Sequence, residues 1–86
     1  MDVIAYVCKH VFENQRPILL IILHSDGWQC LCGELHQEAE IPKIVGIGEL
    51  AAIDPSINEV LDLHFDWQAE RASVGDQWIR RPCTTN

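Results

Sequence analysis

The sequence predicts one small α+β domain, with a mainly antiparallel sheet of about five strands and two short helices packed on one face. Eighty-six residues are enough for a single modest core. An Asp26-Gly27 pair between two apolar segments is a preferred hairpin turn, and no long crossover helix is indicated, which favours antiparallel pairing. We assign residues 1–86 to this domain and expect residues 82–86 to form a flexible tail.

The first strand is predicted from Ala5 to Val11, where two sets of side chains alternate along the chain. Cys8 and His10 then share one face of the strand, because successive side chains point to opposite sides. Pro17 disfavours a helix at Arg16, so a turn is expected before the next strand.

The aliphatic segment 18–23 and the segment 28–32 are predicted to form a hairpin around Asp26-Gly27. Both faces of this hairpin are apolar. The hairpin is therefore either covered on both sides or buried by a second copy of the chain, which leaves a homodimer open. A two-residue turn predicts two opposed pairs across it, namely Leu23 with Cys30 and Ile21 with Cys32.

In the second half of the chain the spacing of apolar residues changes from strand to helix and back. Asp54 is a good N-cap residue and Pro55 suits the first position of a helix, so a new helix is expected to begin there. The predicted elements are a strand at 43–47, helices at 48–53 and 55–61, and two final strands around 67–71 and 77–81.

The charge balance is strongly acidic, with six Lys and Arg against thirteen Asp and Glu and a net charge of −7. This composition argues against nucleic acid as a partner, because phosphate neutralisation supplies most non-specific affinity. An acidic surface instead suits a protein partner of basic character.

The N-terminal residues lack the basic start and long apolar stretch of a secretory signal. The most apolar run spans only residues 18–23, far short of the roughly 20 residues that cross a membrane. We therefore expect a cytoplasmic protein with no membrane partner and with its four cysteines reduced.

Cysteine and histidine residues on the predicted strands raise the alternative of a zinc site. Thiolate and imidazole are the ligands that structural zinc sites use. Against this, the spacings are not those of paired zinc knuckles, and free cysteine commonly fills apolar cores. The interpretation without zinc therefore has no cofactor, and the candidate zinc ligands are Cys8, His10, Cys30, Cys32 and His36.

No hydrolase, kinase or metalloprotease signature is present, so no catalytic residue is predicted. The function predicted first is a non-catalytic protein-interaction module. Tryptophan and arginine are enriched at the centres of interfaces, and acidic residues would attract a basic partner. On this basis the candidate interaction residues are Trp67, Arg71, Trp78, Glu59, Asp62 and Asp66.

Four short motifs carry a resemblance to a known group of proteins, and this resemblance extends over the chain from about Cys8 to Arg81. The pattern resembles small uncharacterised bacterial proteins, some of whose relatives are grouped with immunity proteins of polymorphic toxin systems. That resemblance implies a bacterial interaction protein and no catalytic residue. The motifs are Asp26-Gly27-Trp28, Cys32-Gly33-Glu34, Asp54-Pro55-Ser56 and Trp67-Gln68-Ala69-Glu70-Arg71.

Overall fold

The computed structural model describes residues 3–24, 27–33 and 43–83, and within them it shows an α+β fold. Six short strands form one mixed sheet, accompanied by three short helices. The strands are β1 (Ile4–Val7), β2 (Leu20–His24), β3 (Gly27–Leu31), β4 (Lys43–Gly46), β5 (Trp67–Glu70) and β6 (Ile79–Pro82). The helices are α1 (Lys9–Phe12), α2 (Ile47–Ile53) and a 3₁₀ helix (Pro55–Val60).

The strand order across the sheet is β4-β1-β3-β2-β5-β6. β1 and β3 are parallel, whereas the other neighbouring pairs are antiparallel. The predicted α+β class is confirmed. The described residues form a mixed sheet of six strands with three short helices, where a mainly antiparallel sheet of about five strands with two helices was predicted. The chain makes its crossover from β1 to β3 through the four-residue helix α1 and strand β2, so no long helix is needed.

The first predicted strand, 5–11, is divided between two elements. β1 ends at Val7, and the amide of Phe12 donates to the carbonyl of Cys8 at 2.9 Å, which is a helical hydrogen bond. A pattern this short fits a strand and one turn of helix equally well. Cys8 and His10 therefore do not share a strand face, because Cys8 precedes α1 and His10 lies within it.

The β2–β3 hairpin forms, but its register differs from the predicted one by two residues. Leu23 pairs with Trp28 rather than Cys30, and Ile21 pairs with Cys30 rather than Cys32. Gly27 is part of the ladder opposite His24, with a φ of 127° that glycine adopts readily. A shift of two residues keeps each side chain on its predicted face. The predicted turn residue Asp26 lies outside the described residues.

The helical segments of the second half lie close to their predicted positions. Asp54 caps the 3₁₀ helix, since its carboxylate accepts a hydrogen bond from the amide of Ser56 at 3.1 Å. Pro55 occupies the first position of that helix, as predicted. Of the predicted tail, Pro82 belongs to β6, and residues 84–86 lie outside the described residues. None of the helices in the described ranges has the length and apolar character that a membrane crossing needs.

The core lies on one side of the sheet. Side chains from the inner face of the sheet, such as Val7 and Ile21, are buried in one cluster with Val11, Leu50 and Ile57 from the helices. On the opposite face, apolar side chains of β1, β4 and β6 are exposed, with fractions of 48% for Ile4, 58% for Ile44 and 62% for Ile79. The apolar side chains that the β2–β3 hairpin contributes to this face, Leu20, Ile22 and Leu31, are half-buried. The two alternatives for the hairpin, cover on both sides or burial of one face by a second copy, stay predictions.

Arg71 follows β5 and is buried, with 3% of its surface exposed. Its guanidinium donates two hydrogen bonds to the carbonyl of Ile18, at 3.1 and 2.8 Å. It also donates to the Ser56 hydroxyl at 2.9 Å and forms an ion pair with Asp54. One side chain therefore joins the segment before β2 to the start of the 3₁₀ helix, and we call these residues, together with Trp78, the Arg71 network.

Trp78, which precedes β6, completes the Arg71 network. The Arg71 guanidinium carbon lies 4.3 Å from the centre of the Trp78 ring, a cation–π contact. The indole nitrogen donates to the Ser56 hydroxyl at 3.1 Å, and that hydroxyl in turn donates to Asp54 at 2.8 Å. The polar groups of this buried region are thus paired with one another, as buried polar groups must be if they are not to destabilise the fold.

We expect Arg71→Met to lower the free energy of unfolding much more than the loss of an exposed arginine does. The variant leaves the Ile18 carbonyl without its donors and Asp54 without its cation, so a loss of about 3 kcal/mol in unfolding free energy is expected. Urea denaturation measures it. The matched control is Arg81→Met, which breaks an exposed pair with Glu70 and should cost less than about 1 kcal/mol. Equal losses in the two variants would contradict this account.

Partial burial on its own would raise the pKa of Asp54, but the hydrogen bonds from Ser56 and Arg71 and the charge of Arg71 outweigh it and lower this pKa. The lowered pKa gives a stabilisation that is complete above the unfolded value of about 3.9 and is lost as the pH falls through the folded pKa. Asp54→Asn should therefore be less stable than the parent at pH 7.

The difference in stability between the parent and Asp54→Asn should shrink below about pH 4. Urea denaturation across this pH range provides the measurement. Asp76→Asn is the control, because Asp76 is exposed and is hydrogen-bonded to Ser73, away from the Arg71 network. A constant difference between parent and Asp54→Asn at every pH would show that the ionisation of Asp54 does not stabilise the fold.

Candidate metal centre

Two neighbouring strands end at the same edge of the sheet, and each is followed by a cysteine. β1 and β3 run parallel with Val7 paired to Cys30. Cys8 directly follows β1, and Cys32 directly follows β3. Because the carboxyl ends of parallel strands meet at one edge, the two cysteines come close together there.

Local backbone geometry turns these residues toward one another. Cys8 is still extended, with φ −78° and ψ 166°, and the helical turn that starts at Lys9 carries His10. Gly33, directly after Cys32, has a φ of 84°, which favours glycine and redirects the chain where β3 ends. A β-carbon on Gly33 would make an ordinary contact with the β-carbon of Leu19, at 3.6 Å, so the positive φ and not a lack of space favours glycine here.

Cys8, His10 and Cys32 form a group whose sulfur and nitrogen atoms all lie within 4.8 Å of one another. We call it the thiol–imidazole cluster. The Cys32 sulfur is 3.8 Å from Nδ1 of His10. Both cysteines are buried, Cys32 with only 1% of its surface exposed, and His10 is half-buried. Two thiol sulfurs, which are soft donor atoms, and one imidazole nitrogen, which is a borderline donor, thus lie together at the edge of the core.

The separations in the cluster can be compared with those around a tetrahedral zinc. Zinc–sulfur bonds of about 2.3 Å and zinc–nitrogen bonds of about 2.0–2.1 Å place two sulfurs about 3.8 Å apart and a sulfur and a nitrogen about 3.6 Å apart. The Cys32–His10 separation of 3.8 Å is already close to this value. The other separations in the cluster are at most 4.8 Å, so they exceed the zinc-bound values by no more than about 1.2 Å.

Cys30, the next predicted ligand, does not belong to the cluster. It lies inside the sheet between Val7 on β1 and Ile21 on β2, with none of its surface exposed. Burial raises the pKa of the Cys30 thiol to about 12, so the thiol stays protonated at neutral pH. Cys30 is therefore a core residue. His36, the fifth predicted ligand, lies outside the described residues.

The residues predicted for an interaction surface occupy two different environments. Arg71 and Trp78 are buried in the Arg71 network, and Trp67 is half-buried against the core. Three acidic residues are exposed at the surface, and their role in binding a partner stays a prediction. These are Glu59, Asp62 and Asp66.

A cationic side chain lies beside one of the three acidic residues, and a histidine lies beside another. Asp62 lies 2.7 Å from the guanidinium of Arg80, whose hydrogen bond and charge lower the pKa of this carboxyl. Asp66 lies 3.5 Å from Nδ1 of His24. The backbone carbonyl of Glu59 also accepts a hydrogen bond from Arg80. The acidic stretch is therefore partly neutralised by the protein's own side chains, which reduces the field that it presents to a partner.

The members of the thiol–imidazole cluster were all among the ligands predicted from the sequence. The sequence signal was the short spacing within each pair, Cys8 with His10 and Cys30 with Cys32. What the spacing did not show is that only the second cysteine of the C-x-C pair reaches the cluster. The first cysteine, Cys30, lies in the core cluster, between Val7 and Ile21 of the two neighbouring strands.

A scan against protein-family models, a search of the curated proteins and a search of the solved structures each found no match for this chain. The resemblance to small bacterial proteins related to toxin-immunity proteins therefore stays a prediction.

Proposed function

We propose that this chain is a small zinc-binding domain in which Cys8, His10 and Cys32 are ligands. The observation that carries the proposal is the convergence of their donor atoms within 4.8 Å at the carboxyl ends of β1 and β3. Two thiolates and an imidazole are a donor set suited to zinc. Hydrophobic surroundings exclude water and strengthen the attraction between the metal ion and the thiolates.

The proposed metal acts first on the fold. It links the end of β1 and the start of α1 to the end of β3. Apart from such a link, β1 and β3 are joined by the pairing of two short strands. A ligand that binds the folded chain and not the unfolded one stabilises it by mass action. A domain of this size buries a limited core, so a metal cross-link between neighbouring segments adds substantially to its stability.

We expect the purified chain to bind about one zinc ion, measured by elemental analysis after removal of loosely bound metal. Cys8→Ser, Cys32→Ser and His10→Ala each remove a ligand. Loss of a residue that only hydrogen-bonds to a ligand already costs up to about 100-fold in metal affinity, so each of these variants should weaken zinc binding by at least ~100-fold. Cys83→Ser is the matched control, because Cys83 follows β6 and is not a member of the cluster. Circular dichroism of each variant shows whether it still folds.

Zinc should also raise the melting temperature of the parent chain. At a free zinc concentration 100 times the Kd, the expected stabilisation is about 2.7 kcal/mol, which for a domain this small corresponds to ~10 °C or more in Tm. The Cys32→Ser variant should show no such rise. A folded parent chain that neither retains zinc nor melts at a higher temperature with it would refute the proposal.

The second candidate function is the non-catalytic protein-interaction module, of the immunity type and cytoplasmic. The observation that favours it is the exposed acidic stretch with Glu59, Asp62 and Asp66, next to half-buried Trp67, in a chain of net charge −7. Such a surface attracts a basic protein partner most strongly at low salt. Pull-down with the product of the neighbouring gene at low salt tests it, and failure to retain a basic protein would overturn it.

A further inference from the structure

The thiol–imidazole cluster contains two cysteines whose sulfurs lie within 4.8 Å of one another, so it can support thiol oxidation as well as metal binding. We infer that Cys8 and Cys32 are a redox pair that joins as a disulfide on exposure to a peroxide and releases the bound zinc. This inference rests on the proposed zinc site and names how that site is regulated.

The positions of the two side chains support a disulfide between these residues. Regular strand alternation would put Cys8 and Cys32 on opposite faces of the sheet, but the ladder ends at Val7 and Cys30, and Cys8 leads into α1. The two sulfurs lie on the same side of the chain ends, within 4.8 Å of one another. A disulfide requires them to approach to about 2.05 Å.

The remaining cysteines are poorly placed to compete. Cys30 is fully buried between Val7 and Ile21 and does not belong to the cluster. Within the cluster, Cys8 keeps a larger exposed fraction than Cys32, 6% against 1%, so Cys8 is the thiol that a peroxide reaches first. Cys83 is half-buried and follows β6, and its amide donates to the carbonyl of Asp66. Because β6 is separated from β1 by three strands of the sheet, Cys83 lies away from the cluster. The cluster is reached through half-buried His10, at the edge of the core.

The proposed reaction is balanced in atoms and charge. One thiolate attacks an oxygen of hydrogen peroxide, the O–O bond breaks, and a sulfenic acid and a hydroxide form. The second thiolate then attacks that sulfur, the S–O bond breaks, and a second hydroxide leaves as the disulfide forms. Two protons from solvent convert the hydroxides to water. The two sulfurs lose two electrons, which reduce the peroxide, and the zinc ion departs because both anionic ligands are gone.

The test uses the full chain carrying Cys83→Ser, which removes disulfides between copies, loaded with zinc and then treated with hydrogen peroxide. A chromogenic zinc chelator measures release, and mass spectrometry under non-reducing conditions measures the loss of two hydrogen atoms. The expected result is one zinc ion released for each Cys8–Cys32 disulfide, located by peptide mapping. Reduction with a dithiol followed by added zinc should restore the starting zinc content.

The outcomes separate this inference from the proposed function. A chain that takes up no zinc before the peroxide is added fails the proposed function, and the redox inference fails with it. A chain that binds zinc and keeps it through oxidation overturns the redox inference alone. Two other outcomes also overturn the redox inference alone. One is loss of zinc only when the cysteines are oxidised to sulfinic acids, and the other is a disulfide between Cys30 and Cys32 instead of Cys8 and Cys32.

Discussion

The parallel pairing of β1 with β3 is the constraint on which the candidate site depends. If β3 were antiparallel to β1, Cys8 and Cys32 would leave the sheet at opposite edges and no cluster would form. The pairing itself depends on two reversals of the chain direction. The segment with the four-residue helix α1 reverses the chain between β1 and β2, and the hairpin reverses it again between β2 and β3, so β3 runs parallel to β1. The sheet thereby brings two donors together, while the turn of α1 adds the third.

Features set by neighbouring residues could be predicted from the sequence. The Asp54-Pro55 start of the 3₁₀ helix depends on a side chain that caps its own segment, so the local sequence contains the whole signal. The faces of the hairpin were likewise readable, because alternation survives a shift of two residues. Its register was not, since Gly27 fits a turn and a ladder position equally well. The division of 5–11 between β1 and α1 is decided by contacts with β3 and the core, which are distant in sequence.

The candidate site was predictable as a set of residues but not as an arrangement. Spacing alone identified the cysteines and histidines, yet which of Cys30 and Cys32 reaches His10 depends on where β3 ends. Arg71 and Trp78 illustrate the converse problem. The same stacking of a guanidinium on an indole that makes these residues common at interfaces also stabilises a buried network within one chain, and composition does not distinguish the two.

The position of Arg71 in the chain has a consequence for how the protein is made. Its guanidinium binds the carbonyl of Ile18, 53 residues earlier, and stacks on Trp78, seven residues later, so its burial is completed only when the last strand is added. The thiol–imidazole cluster, in contrast, lies wholly within the first 32 residues. Because the N-terminal residues are synthesised first, all three members of the cluster are in the chain before Arg71 and Trp78 are added. The residues of the candidate site therefore precede, in the order of synthesis, the side chains that complete the Arg71 network.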